Sequence, residues 1–139
     1  MAQKTKQIKQ GYSARQSKRK KVERKISSGR VYVTATFNNT IVTLTDTAGN
    51  AVAWGSSGAS GFKGARRATP FAAISAMETV AQKAKTMGVG SVELFIKGPG
   101  SGRDATIKAL RGAGINITMI ADITPIPHNG PRAKKRRRV

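Results

Sequence analysis

The fold is decided by Val31-Tyr32-Val33-Thr34-Ala35-Thr36-Phe37, in which the odd positions are apolar and the even ones mostly threonine. β-Branched residues alternating with period two are the pattern of a strand that lays one face on a core. Working outward, Asn38-Asn39 supplies a turn and Thr40 to Thr45 a second strand. Asp46-Thr47-Ala48-Gly49-Asn50 follows as a short hairpin loop, with Gly49 suited to a left-handed backbone, and Ala51 to Trp54 completes a three-stranded meander.

Beyond the meander the period changes. Thr69 reads as an N-cap and Pro70 as the first helical residue. Phe71, Ile74, Met77, Val80, Ala84 and Met87 then recur at spacings of three or four, which predicts a helix with those side chains on its core face, stopped by Gly88. Val92 to Lys97 reads as a fourth strand, and a short helix is expected from about Asp104 to Arg111. Ile115 to Thr124 is the fifth strand, with Ile115, Ile117, Met119, Ala121 and Ile123 sharing a face and Pro125 and Pro127 preventing its continuation. A meander followed by alternating strands and helices predicts an α/β fold, with a mixed five-stranded sheet covered by helices.

Charge is distributed unevenly along these elements. Residues 1–30 hold eleven Lys or Arg against one acid, Glu23, and residues 132–139 hold six against none, so the ends carry +16 of the formal +20. Like charges at that density repel one another and bury no core, which marks both ends as extensions that fold onto a polyanion. The organisation expected is a basic N-terminal extension (1–30), one globular domain (31–131) and a basic C-terminal tail (132–139), about 100 residues being room for a single core. The chain has no cysteine, which excludes disulfides, thiolate metal sites and thiol nucleophiles. It has no apolar run of membrane-spanning or signal-peptide length, so a soluble protein without membrane association is expected.

Two glycine-rich basic loops are the candidate sites. Ser57-Gly58-Ala59-Ser60-Gly61-Phe62-Lys63-Gly64 continues into Arg66 and Arg67: glycines allow close approach to phosphates, the cations neutralise them, and Phe62 either stacks on an unpaired base or plugs the core. The second loop, Lys97-Gly98-Pro99-Gly100-Ser101-Gly102-Arg103, joins a strand to a helix as a dinucleotide-binding loop does, but Arg103 stands where the third glycine belongs. A phosphate of nucleic acid and a plain tight turn are the two readings it leaves. His128 is the only histidine and, in a turn beside a basic tail, reads as a hydrogen bonder rather than a catalyst. Asp46, Glu78, Glu93, Asp104 and Asp122 lack metal-ligand spacing, so neither a metal, a cofactor nor an enzyme activity is expected. A generic nucleic-acid-compacting basic protein is the alternative reading, and Lys134-Lys135-Arg136-Arg137-Arg138 also has the form of a nuclear-import signal.

Four stretches together resemble one family, the S-eleven family of small-subunit ribosomal proteins, in its bacterial form. They are Phe37-Asn38-Asn39-Thr40, Ser57 through Pro70, Lys97 through Arg103, and Asp122-Ile123-Thr124-Pro125-Ile126-Pro127-His128-Asn129-Gly130. Pro131-Arg132 follows where that family commonly has Cys-Arg. The resemblance implies a three-layer arrangement similar in topology to ribonuclease H, although Val31 to Phe37 carries none of the acids a ribonuclease H site needs. It implies binding to small-subunit ribosomal RNA in the platform near the messenger RNA exit path, and with it ribosome assembly and translation on cytoplasmic ribosomes, the sequence not separating a bacterial from an organellar origin. The neighbours implied are proteins S-seven, S-eighteen and, in bacteria, S-twenty-one, with no homo-oligomer. The RNA contacts expected are Asn38, Asn39, Ser57, Gly58, Lys63, Gly64, Arg66, Arg67, Lys97, Gly98, Gly100, Ser101, Gly102, Arg103, His128, Asn129 and Gly130. In the extensions they are Lys18, Arg19, Lys20, Lys21, Arg132, Lys134, Lys135, Arg136, Arg137 and Arg138.

Overall fold

The computed structural model describes residues 26–136 and Arg138. Five strands form one mixed sheet in the order β3-β2-β1-β4-β5: β1 Ser28–Ala35, β2 Thr40–Thr45, β3 Ala51–Ser56, β4 Ser91–Lys97 and β5 Asn116–Asp122. β1, β2 and β3 pair antiparallel, as short connections allow, whereas β4 lies parallel to β1 and β5 parallel to β4. Those parallel pairings need crossovers, which are the helices α1 (Pro70–Thr86) and α2 (Gly102–Gly112). The α/β class and the mixed five-stranded sheet are those the sequence predicts.

Alternation in β1 holds over Val31, Val33 and Ala35, which are buried, but not to Phe37, which is 73% exposed in the turn after the strand. The strand also begins earlier, at Ser28, and Ile26 packs against the core. Val42, Leu44, Ala53, Val92, Leu94 and Ile96 complete the buried face of the sheet, and Met77, Val80 and Leu110 of the two helices join them in one cluster. Both described helices therefore lie on this face. The other carries Trp54, Thr43, Tyr32, Phe95 and Ala121 in cross-strand register, with Tyr32 and Phe95 stacked at 5.1 Å.

Two apolar patterns are redistributed by packing. In α1 the buried side chains are Ala72, Ala73, Ala76, Met77, Val80, Ala81 and Ala84, while Phe71 is 66% exposed. The cause is the narrow gap to the sheet: a Cβ on Gly55 would stand 2.9 Å from the Ala76 carbonyl oxygen and 3.0 Å from Val80 Cγ2. The predicted face holds at Met77, Val80 and Ala84, but so close an approach brings Ala72, Ala73 and Ala76 inward and leaves Phe71 outside. In β5 a register shift opposite Val92 and Glu93 inserts Thr118, whose hydroxyl donates to the Val92 carbonyl at 3.1 Å. The expected face of five odd-numbered residues breaks there: Met119 is opposite Glu93, and Ile120 and Asp122 take the positions beside Leu94 and Ile96.

Helix α1 starts and stops where its end signals predict. Thr69 Oγ1 accepts from the Ala72 amide at 3.3 Å, with Pro70 at the first position. At the other end Gly88 has φ +81°, its amide donates to Lys85, and the Val89 amide donates back to Ala84. This pair of bonds satisfies carbonyls the helix leaves open.

Candidate nucleic-acid interface

The topology puts every candidate loop at one end of the sheet. β1, β4 and β5 point the same way, β2 returns antiparallel and β3 reverses again, so the turn 36–39, the loop 57–69, the loop 98–101 and the exit from β5 are neighbours. Hydrogen bonds stitch them together: Ser57 N to Thr40 O at 3.0 Å, Gly100 N to Ala35 O at 2.9 Å, Ser101 Oγ to Ala68 O at 2.8 Å, and Gly98 N to Thr124 Oγ1 at 3.1 Å. Asn38 is exposed at the tip of the first turn, which Thr36 organises by accepting from the Asn39 amide and donating to the Asn39 carbonyl.

The glycines of the second loop are required by the fold. A Cβ on Gly98 would lie 2.3 Å from Ala35 O, one on Gly100 2.4 Å from Thr36 O, and one on Gly102 2.3 Å from Thr40 Oγ1 and 3.0 Å from Ala73 Cβ. The tight-turn reading of these residues thus has a physical cause: α2 and its loop press directly on β1, β2 and α1. Gly98 also has φ +98°, a conformation in which only glycine is unstrained.

Arg103 is held internally. Its guanidinium donates to the Gly98 carbonyl at 2.7 Å and to the Asp122 carboxylate. Asp122 Oδ1 accepts as well from the Thr124 hydroxyl at 2.6 Å and the Thr124 amide at 2.9 Å. The Arg103 hydrogen bond first, then those of Thr124, holds the Asp122 carboxyl well below the usual carboxylate range. This clamp joins the loop after β4 to the point where the chain leaves β5. Asp104 occupies the first turn of α2, where its charge already complements the helix dipole.

The remaining predicted residues divide by exposure. Lys63, Gly64 and Arg66 are exposed and Arg67 half-buried in or beside a 3₁₀ turn, Gly64–Ala68, that the sequence leaves as loop. Lys97, Ser101, His128, Asn129, Gly130, Arg132, Lys134, Lys135, Arg136 and Arg138 are exposed, as is Gly58. Asn129 is the one described non-glycine residue at positive φ, +50°. Ser57, Gly100 and Gly102 are buried; Ser57 Oγ and Asn39 Oδ1 have no hydrogen-bond partner among the described residues. Lys18, Arg19, Lys20, Lys21 and Arg137 lie outside the described residues.

Phe62 is neither in the core nor free. It is half-buried and packs edge-to-face on Phe71, centroids 5.8 Å apart. The sequence reading places Phe71 in the core and so misses an exposed aromatic against Phe62, which itself lines a groove with Lys63 and Arg66. The run Ala72-Ala73, with Ala76, was the signal available for the true buried face.

The fold and this end of it define an α/β protein whose basic loops share the end of the sheet at which the chain leaves β5, while its described residues bring no three of His, Cys, Asp or Glu together. The sequence model of the family described as Ribosomal protein S11 matches residues 29–138, most of the chain. The chain belongs to that family and is a small-subunit ribosomal protein, a structural component of a ribonucleoprotein in translation.

Proposed function

We propose that the loop end of the sheet binds small-subunit ribosomal RNA in the platform of the subunit, near the messenger RNA exit path. The observation that carries this is convergence: Lys63, Arg66, Arg67 and Lys97 come from separate stretches of sequence onto the end from which the tail Arg132–Arg138 departs. Of the acids at that end, Asp122 is neutralised by Arg103 and Asp104 sits in a helix first turn. A concentration of cation that the fold itself assembles suits a phosphate backbone.

In this reading the folded unit, residues 31–131 by the charge pattern, presents Asn38, Lys63, Arg66, Lys97 and His128 to RNA, and the extensions on either side thread between RNA helices. The eight residues of the tail reach roughly 27 Å when extended, and counterion release offsets their ordering. Ser57, Gly98, Gly100, Gly102 and Arg103 hold the loops in place for those contacts. Proteins S-seven, S-eighteen and S-twenty-one are the neighbours that membership suggests.

The test is binding of the purified chain to small-subunit ribosomal RNA, to unrelated structured RNA of equal length and to duplex DNA, each across a salt series. A preference for the ribosomal RNA that persists at high salt supports the proposal. Equal and steeply salt-dependent binding to all three reduces the protein to a generic polycation.

A further inference from the structure

We propose that Phe71, braced by Phe62, is a stacking site for one unpaired base of the bound RNA. The inference rests on the RNA-binding reading above and adds a contact that charge does not supply. Phe71 is the second residue of α1, 66% exposed, while its neighbours Ala72, Ala73, Ala76 and Met77 are fully buried. It lies outside the buried face of α1, which the fold sets at Ala72, Ala73, Ala76, Met77 and Val80, with Ala76 and Val80 held close against Gly55.

The ring is nevertheless held. Phe62 meets it at 86° with centroids 5.8 Å apart, an arrangement that fixes a ring by one contact and leaves much of its surface open. Phe62 also lines a groove with Ser60, Gly61, Lys63 and Arg66. The sequence has no acid between Asp46 and Glu78, so nothing on these elements offsets the cations beside the rings. An aromatic pair bordered by Lys63 and Arg66, which meet no acid among the described residues, matches a nucleotide, with the base on the Phe71 ring and its phosphate on the cations. An apolar protein partner fits less well, since the centre of a protein interface is depleted in lysine.

The test uses the full chain and small-subunit ribosomal RNA over a salt series, with Phe71→Leu and Phe71→Trp. Leucine keeps apolar bulk and loses the stacking face; tryptophan restores one. Phe71→Leu should weaken binding about 5- to 150-fold, the scale of one base–aromatic stack, with the salt slope unchanged, and Phe71→Trp should retain parental affinity. Thermal melts should coincide for all three, since the position is exposed. A Phe71→Leu affinity within about twofold of the parent, on the scale of one stack, overturns the stacking site if the parent still prefers ribosomal RNA. A lowered salt slope in Phe71→Leu also overturns it, by showing that the substitution acts through the cations. Loss of the parent's own preference instead overturns the RNA-binding reading on which the inference stands.

Discussion

Replacing Gly100 by alanine separates two explanations of the glycine-rich loop after β4. The added methyl would stand 2.4 Å from the Thr36 carbonyl oxygen, 2.8 Å from Ala35 C and 2.9 Å from Ala35 O, all backbone atoms of the central strand and its turn. None is the end of a flexible side chain, so relief requires the loop to retreat from β1. Overpacking of this kind costs about 1–3 kcal/mol, and stretching the 2.9 Å Gly100 N to Ala35 O bond adds about 0.5–1.5 kcal/mol. The smaller unfolded-state entropy of alanine returns about 0.4–1 kcal/mol. The net expectation is a loss of about 0.5–4 kcal/mol, centred on about 2 kcal/mol, a large share of the stability of a domain this size. Urea denaturation followed by far-ultraviolet circular dichroism measures it as a lower midpoint at unchanged slope. Gly49→Ala is the control: nothing lies within 4 Å of its Cβ, so only the strain of φ +91° remains, about 1 kcal/mol. A Gly100→Ala protein as stable as the parent but weaker for RNA would refute the packing argument and favour a direct phosphate cradle.

Three further outcomes follow from single contacts. Thr69→Ala removes the cap on the Ala72 amide and should cost about 1 kcal/mol, read from the same denaturation curves. Asp122→Asn removes a carboxylate whose folded pKa lies below its ordinary 3.8, so the stabilisation it brings is complete above 3.8 and lost as pH falls beneath it. The stability gap between parent and Asp122→Asn should therefore be widest near neutrality and shrink progressively as the pH falls below 3.8; a gap that widens on acidification would contradict the assignment of the Arg103 bond. Deleting residues 132–139 removes six cations and should lower both the affinity for ribosomal RNA and the steepness of its salt dependence, by about 0.9 in the log–log slope for each phosphate released. An unchanged slope would show that the tail does not meet phosphate.

Much of this protein is legible in local sequence because its signals are local. Alternation in Val31 to Ala35 marks a strand, Thr69-Pro70 and Gly88 mark the ends of α1, and Gly49 marks a hairpin, since each rests on the conformational preference of a few adjacent residues. The separation of charge between ends and middle is equally plain in composition. Met77, Val80 and Ala84 of α1 are buried as their spacing predicts, but the outward position of Phe71 and the interior face of β5 were not legible. How closely α1 approaches the sheet depends on Gly55, distant in sequence, and which side of β5 meets the core depends on a bulge that only pairing with β4 reveals.

The same distinction applies to the candidate site. By itself the sequence determined that basic, glycine-rich segments exist, because side-chain charge and backbone freedom belong to residues. Only the tertiary structure decided that these segments share one end, that Gly98, Gly100 and Gly102 are spent on contact with β1, β2 and α1, and that Arg103 answers Asp122. It decided as well that Phe71 faces outward. Those are properties of pairs of residues far apart in the chain, fixed by which surfaces can approach without overlap and which charges the fold brings within hydrogen-bonding distance.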